Sequence, residues 1–167
     1  MSENTLAALA NPWIEGLMCY EPGRPIEEVA RELGFSSADE IHKLASNENA
    51  LGPSPKAIEM MRTAAANMHL YPDGGAFYLK QAMARHLDVE PGNLCFGNGS
   101  NELIELLGHV FLGPDARIVM SQGAFIIYKL VASMFRAETT MTPMVDFAHD
   151  LDAMLAAITP ETKLVFV

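Results

Sequence analysis

The feature that most restricts the fold is an alternation of short apolar runs and longer helical patterns in the second half of the chain. In chain order the sequence predicts strand 94–97, helix 100–112, strand 117–120, helix 125–135, strand 137–141, helix 150–158 and strand 163–167. Short connections between strands and single helices favour parallel pairing, with each helix crossing over the sheet. The sequence therefore predicts an α/β fold with a mostly parallel sheet and crossover helices.

The first 90 residues show weaker periodicity and stronger turn signals. A short helical pattern at 26–33 is ended by Gly34, and longer patterns at 55–68 and 76–87 flank the turn sequence YPDGG. We therefore divide the chain into an N-terminal arm with a short helix (1–40), a loop with helices (41–90), and the first part of an α/β domain (91–167).

Composition excludes several classes of function. A net charge of −10 makes nucleic acid an unexpected partner. No uncharged apolar run approaches about 20 residues, so no membrane span is expected. Cys19 and Cys95 have no partner motif, which is typical of reduced thiols and predicts a cytoplasmic protein. The five histidines lack metal-ligand spacing, so no metal site is expected.

A glycine-rich junction joins the predicted strand 94–97 to the helix that follows. Gly97, Asn98, Gly99 and Ser100 directly precede a helix whose first N–H groups have no helical partner and attract negative charge. Glycine lets a ligand approach the backbone, so the junction suits a phosphate. Neither GxGxxG nor a P-loop is present, and on these residues alone a structural turn and an anion site both remain open.

The helix after this junction has a predicted apolar stripe. Leucines, a valine and a phenylalanine recur at helical spacing, and charged residues fall on the opposite side. The predicted buried stripe is Leu103, Leu106, Leu107, Val110 and Phe111, and the predicted solvated face is Glu102, Glu105 and His109.

Four motifs occur in a fixed order: KLASNENALGPSPKAIEMM, YPDGGAFYLKQAMARHL, LCFGNGSNELIELL and SQGAFIIY. Together they resemble the N-terminal part of histidinol-phosphate aminotransferases, fold-type-I enzymes that use pyridoxal 5′-phosphate. The resemblance implies an incomplete large domain of that fold and a homodimer with a shared active site. It also implies amino-group exchange between L-histidinol phosphate and 2-oxoglutarate, in histidine biosynthesis.

The resemblance also implies roles for individual residues. Gly99, Ser100 and Asn101 would bind the cofactor phosphate, and Phe125 would stack on the cofactor ring. Tyr71 would reach the cofactor of the partner subunit, and Tyr20 and Asn47 would line the substrate side. The residues alone also permit structural roles: an N-cap for Ser100, core packing for Phe125, surface packing for Tyr71 and an Asx-turn for Asn47.

No catalytic residue is assigned within the chain. None of its lysines matches the context of the family's Schiff-base lysine, which is expected beyond Val167, so the isolated chain is predicted to be inactive. The last run, TKLVFV, is interpreted as a strand at which a longer protein is truncated. Three alternatives stay open: an aromatic amino-acid aminotransferase or phospho-amino-acid decarboxylase of the same fold, a non-catalytic phosphate-binding or dimerisation fragment, and a purely structural domain.

Overall fold

Three parallel strands form a sheet in the second half of the chain, as the alternating pattern predicts. The computed structural model describes residues 9–20 and 22–167. The strands are β1 (Arg117–Ser121), β2 (Glu138–Thr142), β3 (Met144–Val145), β4 (Ala148–His149) and β5 (Thr162–Phe166). The parallel sheet has the order β2-β1-β5, and β3 and β4 form a separate antiparallel pair.

The α-helices follow the predicted positions closely. They are α1 (Ile26–Leu33), α2 (Pro55–Ala64), α3 (Phe77–Leu87), α4 (Gly99–Phe111), α5 (Ile126–Met134) and α6 (Leu151–Ala156). Short 3₁₀ turns add Pro12–Ile14, Ala38–Glu40, Ala65–Asn67 and Pro91–Asn93. None of the helices in the described ranges is long and apolar enough to cross a membrane.

The chain folds as two units. One contains residues 9–20 and 95–167, and the other contains residues 22–94. The α/β architecture predicted from the sequence is confirmed in the first unit, which holds the parallel sheet. The predicted three-part division of the chain stays a prediction.

The central strand β1 supplies the core of the first unit. Ile118 and Val119 are fully buried and Met120 nearly so, which shows that both faces of the strand are covered. Strands buried on both faces read as continuous apolar runs, and β1 has that character. Ala132 of the crossover helix α5 packs into the same cluster as Ile118 and Met120.

Helix α4 buries a different face from the predicted one. Its buried residues are Ile104 and Gly108, whereas Val110 is 72% exposed and Phe111 is about half exposed. The reason is packing: Gly108 lets the side chains of Val131 and Phe135 from the α5 segment approach the α4 backbone. The periodicity identified the helix correctly, but it placed the contact face on the larger side chains.

Two further local predictions differ from the structure. Residues 94–97 are not a strand: Leu94 is extended, but no strand in the described ranges pairs with the segment, and a strand requires a ladder. The hairpin β3–β4 was not predicted. Its turn residues Asp146 and Phe147 are left-handed, with φ of 48° and 62°, without the Asn-Gly or Asp-Gly signal such turns usually carry.

In the second unit, Asp73 fixes the start of α3. Its carboxylate accepts hydrogen bonds from the N–H groups of Gly75 (2.9 Å) and Phe77 (2.8 Å). These bonds lower the pKa of Asp73 below its ordinary value of 3.8, the bond from Phe77 contributing most. The carboxylate thus supports a turn in which Ala76 is left-handed, with φ of 47°.

This contact predicts a pH dependence. A lowered folded-state pKa means that the stabilisation is fully present above pH 3.8 and is lost as the pH falls through the folded value. Asp73→Asn should remove this component. We expect the slope of stability against pH below about pH 4 to become shallower in the variant, measured by denaturant unfolding followed by circular dichroism. An unchanged slope would show that Asp73 does not contribute.

Candidate functional site

The glycine-rich junction forms the N-terminus of α4. The helix begins at Gly99, whose φ is +75°, a left-handed conformation that glycine adopts without steric cost. A Cβ atom placed on Gly99 would meet no other atom within 4 Å, so the space beside this residue is open. The junction therefore leaves room for a ligand against the backbone.

The first N–H groups of α4 are available as donors. The Gly99 N–H is directed to the carbonyl of Gly97 at 2.9 Å. Within the part of the chain that the structure describes, no acceptor is found for the N–H groups of Ser100 and Asn101. Two adjacent donors at the positive end of a 13-residue helix form a suitable environment for a phosphate.

Asn98, rather than Ser100, occupies the N-cap position, and its side chain makes no capping hydrogen bond. The prediction that Ser100 serves as the N-cap is therefore wrong, because Ser100 is the second residue of the helix. Its hydroxyl lies in the first turn, where it can support a ligand held by the neighbouring N–H groups.

Glu102 is a contact that sequence reasoning missed. Its carboxylate accepts a hydrogen bond from the Asn98 N–H, and it also lies against Gly97, where an added Cβ would be 3.0 Å from Oε2. The sequence prediction placed Glu102 among solvated charges on the far side of the helix. The available signal was its position at the fourth residue of the helix, close to that of the glutamate in a capping box. Glu102 organises the junction and adds a negative charge beside it.

Phe125 is the N-cap residue of α5, at the end of the loop that follows β1. Its ring is 40% exposed and makes an edge-to-face contact with Tyr128 at 5.9 Å between centroids. Tyr128 in turn stacks on Phe166 at 4.0 Å and packs against the core cluster. Tyr128 is therefore structural, and it supports the partly exposed ring of Phe125.

The chain connections direct the N-termini of α4 and α5 toward the same edge of the sheet, the one formed by the carboxyl ends of the strands. The crossover helix α5 leaves the carboxyl end of β1, so its N-terminus lies at that edge. The C-terminus of α4 lies near the amino ends of the strands, because only five residues separate it from β1 and its Gly108 packs against Phe135. The N-terminus of α4 is therefore directed toward the carboxyl ends. Ligands of open α/β sheets bind beyond the carboxyl ends of the strands.

Two buried hydroxyl groups lie at this same edge. Ser121 and Thr142 are paired neighbours at the ends of β1 and β2, and both side chains are buried. Neither hydroxyl has a hydrogen-bond partner among the described residues. Buried polar atoms without partners cost free energy, and such sites recur where a ligand or an ordered water completes them.

The other predicted site residues are exposed. Tyr20 lies in the first unit and is about half exposed. Asn47 and Tyr71 lie in the second unit. Tyr71 is fully exposed before Pro72, and Asn47 is left-handed with φ of 51°, directly after a left-handed Ser46. Within residues 9–20 and 22–167 no group of histidine, cysteine and acidic side chains is arranged to hold a metal ion.

Comparison with known proteins places this site in context. The chain is 48% identical over 164 residues to a histidinol-phosphate aminotransferase of Akkermansia muciniphila, a match that covers 98% of the chain and 45% of the relative. It is 46% identical over 148 residues to that of Moorella thermoacetica, covering 89% of the chain and 38% of the relative. The chain thus spans less than half the length of these relatives. No family model matches the sequence.

Solved structures agree with the sequence relatives. The histidinol-phosphate aminotransferase of Sinorhizobium meliloti, crystallised with pyridoxal 5′-phosphate, superposes with a TM-score of 0.74 at 28% identity, covering 91% of the chain and 39% of that structure. The α-aminoadipate aminotransferase of Thermus thermophilus gives a TM-score of 0.71 at 17% identity, covering 98% of the chain and 41% of that structure, and shows the shared fold alone.

Proposed function

We propose, from the homology of this chain to histidinol-phosphate aminotransferases, that it supplies the cofactor-phosphate-binding part of a pyridoxal 5′-phosphate-dependent enzyme with that activity. The reaction would exchange an amino group between L-histidinol phosphate and 2-oxoglutarate, in histidine biosynthesis. The aromatic amino-acid aminotransferase and the decarboxylase are not favoured, because the sequence relatives carry the histidinol-phosphate name.

The observation that carries this proposal is the open N-terminus of α4. The free N–H groups of Ser100 and Asn101, beside the open space at Gly99, fit a phosphate dianion without any side-chain cation. Backbone donors are important here because the net charge of −10 repels an anion, so that the attraction has to come from groups in direct contact with it.

Phe125 would hold the ring of the same cofactor. A half-exposed aromatic ring fixed by Tyr128 offers a flat apolar face without competing for the polar edges of a pyridine. When bound, pyridoxal 5′-phosphate supplies an electron sink for chemistry at the substrate Cα. The residues of this chain would bind and orient it, and the Schiff-base lysine would come from outside the 167 residues.

Substrate and partner contacts are proposed at three exposed residues. Tyr20 and Asn47 would line the substrate side, and Tyr71 would reach the cofactor phosphate of the partner subunit in a homodimer. A fully exposed tyrosine whose backbone is restricted by the following proline is suited to contact a second chain. We place the enzyme in the cytoplasm, as its unpaired cysteines suggest.

Reduction with borohydride tests the proposal. The full-length protein, incubated with pyridoxal 5′-phosphate and reduced, should carry the cofactor on one lysine that lies outside residues 1–167, and it should transaminate L-histidinol phosphate with 2-oxoglutarate. Peptide mapping locates the labelled lysine, and a coupled glutamate assay measures turnover. Labelling confined to a lysine within these residues, or turnover only with aromatic amino acids, would contradict the proposal.

A further inference from the structure

In residues 9–20 of the N-terminal arm, the side chain of Trp13 contacts the end of helix α5. Within the 3₁₀ turn Pro12–Ile14, the Trp13 indole Nε1 donates a hydrogen bond to the carbonyl of Met134 at 3.2 Å. The guanidinium carbon of Arg136 lies 5.0 Å from the centroid of the Trp13 ring. The tryptophan therefore meets the end of α5 through both its edge and its face.

Arg136, which makes this contact, has an unfavourable backbone conformation. Its φ is 61°, at the position after a helix end where glycine is the usual residue. The turn is closed by bonds from the Arg136 N–H to Ser133 and from the Ala137 N–H to Ala132, at 3.1 and 2.8 Å. Glycine would form this turn without strain, so the arginine side chain has a role that the turn itself does not require.

Beside this contact lies a pocket of about 270 Å³. It is lined by Trp13, Gly16, Leu17 and Met18 of the arm and by Lys129, Leu130 and Ser133 of α5. Trp13 itself stays 38% exposed. For the described residues 9–20, the side-chain hydrogen bond and the cation–π contact to the end of α5 both come from Trp13.

We propose that Trp13 and Arg136 form a latch that docks residues 9–20 of the N-terminal arm on α5 and thereby positions Tyr20, seven residues further along, for the substrate. The docking itself is independent of the enzyme's chemistry. The positioning of Tyr20 rests on the proposed function. Trp13 and Arg136 are thus positioning residues, neither of which contacts substrate.

Trp13 is the only tryptophan of the chain, which makes its fluorescence a direct probe of the latch. In the full-length holoenzyme, with any tryptophan outside these residues replaced by phenylalanine, Arg136→Gly should shift Trp13 emission to the red. The acrylamide quenching constant should also rise, because losing an exposed cation–π contact shifts the equilibrium between the docked and undocked tryptophan about two- to fivefold toward the undocked form. The melting temperature should stay level or rise, because glycine relieves the left-handed strain.

Two variants make this readout specific. Arg136→Lys keeps a cation near the ring and should restore most of the original emission. Asp88→Gly relieves a left-handed residue with φ of 54° at the end of α3 and should leave the emission unchanged. Quenching and emission that are the same in Arg136→Gly as in the unaltered protein would overturn the latch.

Kinetics test the link to Tyr20. In Arg136→Gly the KM for the phosphorylated substrate should rise about two- to fivefold while kcat changes little, and Arg136→Lys should restore it. A changed Trp13 emission with an unchanged KM would overturn the positioning of Tyr20 and leave the docking contact standing. A changed emission in a protein without transaminase activity would refute the proposed function but support the latch.

Discussion

Replacing Gly99 with alanine is expected to weaken binding of pyridoxal 5′-phosphate by tenfold or more, corresponding to about 1.4 kcal/mol. Two effects act in the same direction. The added Cβ fills the open space beside the donors, and the φ of +75° disfavours alanine by about 1 kcal/mol, so the backbone shifts away from the geometry that directs the Ser100 and Asn101 N–H groups. Titration of the full-length apoenzyme with cofactor, followed by absorbance, measures the affinity.

Gly34→Ala is the matched control for this prediction. Gly34 closes α1 with a φ of +76°, and a Cβ there also meets nothing within 4 Å, so the backbone penalty is the same. It should lower the melting temperature as Gly99→Ala does, without changing cofactor affinity. Equal affinity losses in the two variants would mean that global destabilisation, and not the junction, is responsible. Unchanged affinity in Gly99→Ala would remove the α4 N-terminus as the phosphate site.

Much of the fold could be predicted from the sequence because periodicity and turn residues are local signals. The helix 26–33 was predicted with the bounds that the structure has, since Gly34 ends it in a left-handed cap. The three parallel strands were predicted to within about one residue, and in β1 burial on both faces gives the continuous apolar run that marks a strand. What periodicity could not give was the packing face of α4, which depends on the absence of a side chain at Gly108.

The candidate site was predictable in position but not in detail. The junction at residues 97–100 could be recognised because glycine before a helix start suits an anion, whereas the assignment of Gly99, Ser100 and Asn101 came from the resemblance and stays a prediction. The contact of Glu102 with the Asn98 N–H depends on a side chain folding back across the helix start, which spacing alone does not determine. The Trp13–Arg136 contact joins residues 123 positions apart, and a left-handed arginine has no sequence signal.

Gly108→Ala is expected to destabilise the first unit by up to about 2 kcal/mol, although alanine is the better helix former. The helix preference favours alanine by about 1 kcal/mol. Against it, the new Cβ would lie 2.7 Å from both Val131 Cγ1 and Phe135 Cδ2, well inside contact distance. Neither neighbour can yield easily: Val131 is buried, and the Phe135 ring is held by an edge-to-face contact with His109 at 4.7 Å. Overpacking of this kind costs about 1–3 kcal/mol, occasionally more, so we expect the steric term to exceed the helix preference.

A double-mutant cycle separates this clash from other effects of the substitution. Val131→Ala removes the Cγ1 atom and should destabilise the protein on its own, because it leaves a cavity beside Gly108. In the double variant Gly108→Ala/Val131→Ala the new methyl group occupies that space, so the loss of unfolding free energy should be smaller than the sum by about 1 kcal/mol. Gly113→Ala, where an added Cβ meets nothing within 4 Å, should leave stability unchanged. Strict additivity in urea unfolding of the full-length protein would show that α4 and α5 do not meet at Gly108, because two substitutions that share no contact have no means of compensating each other.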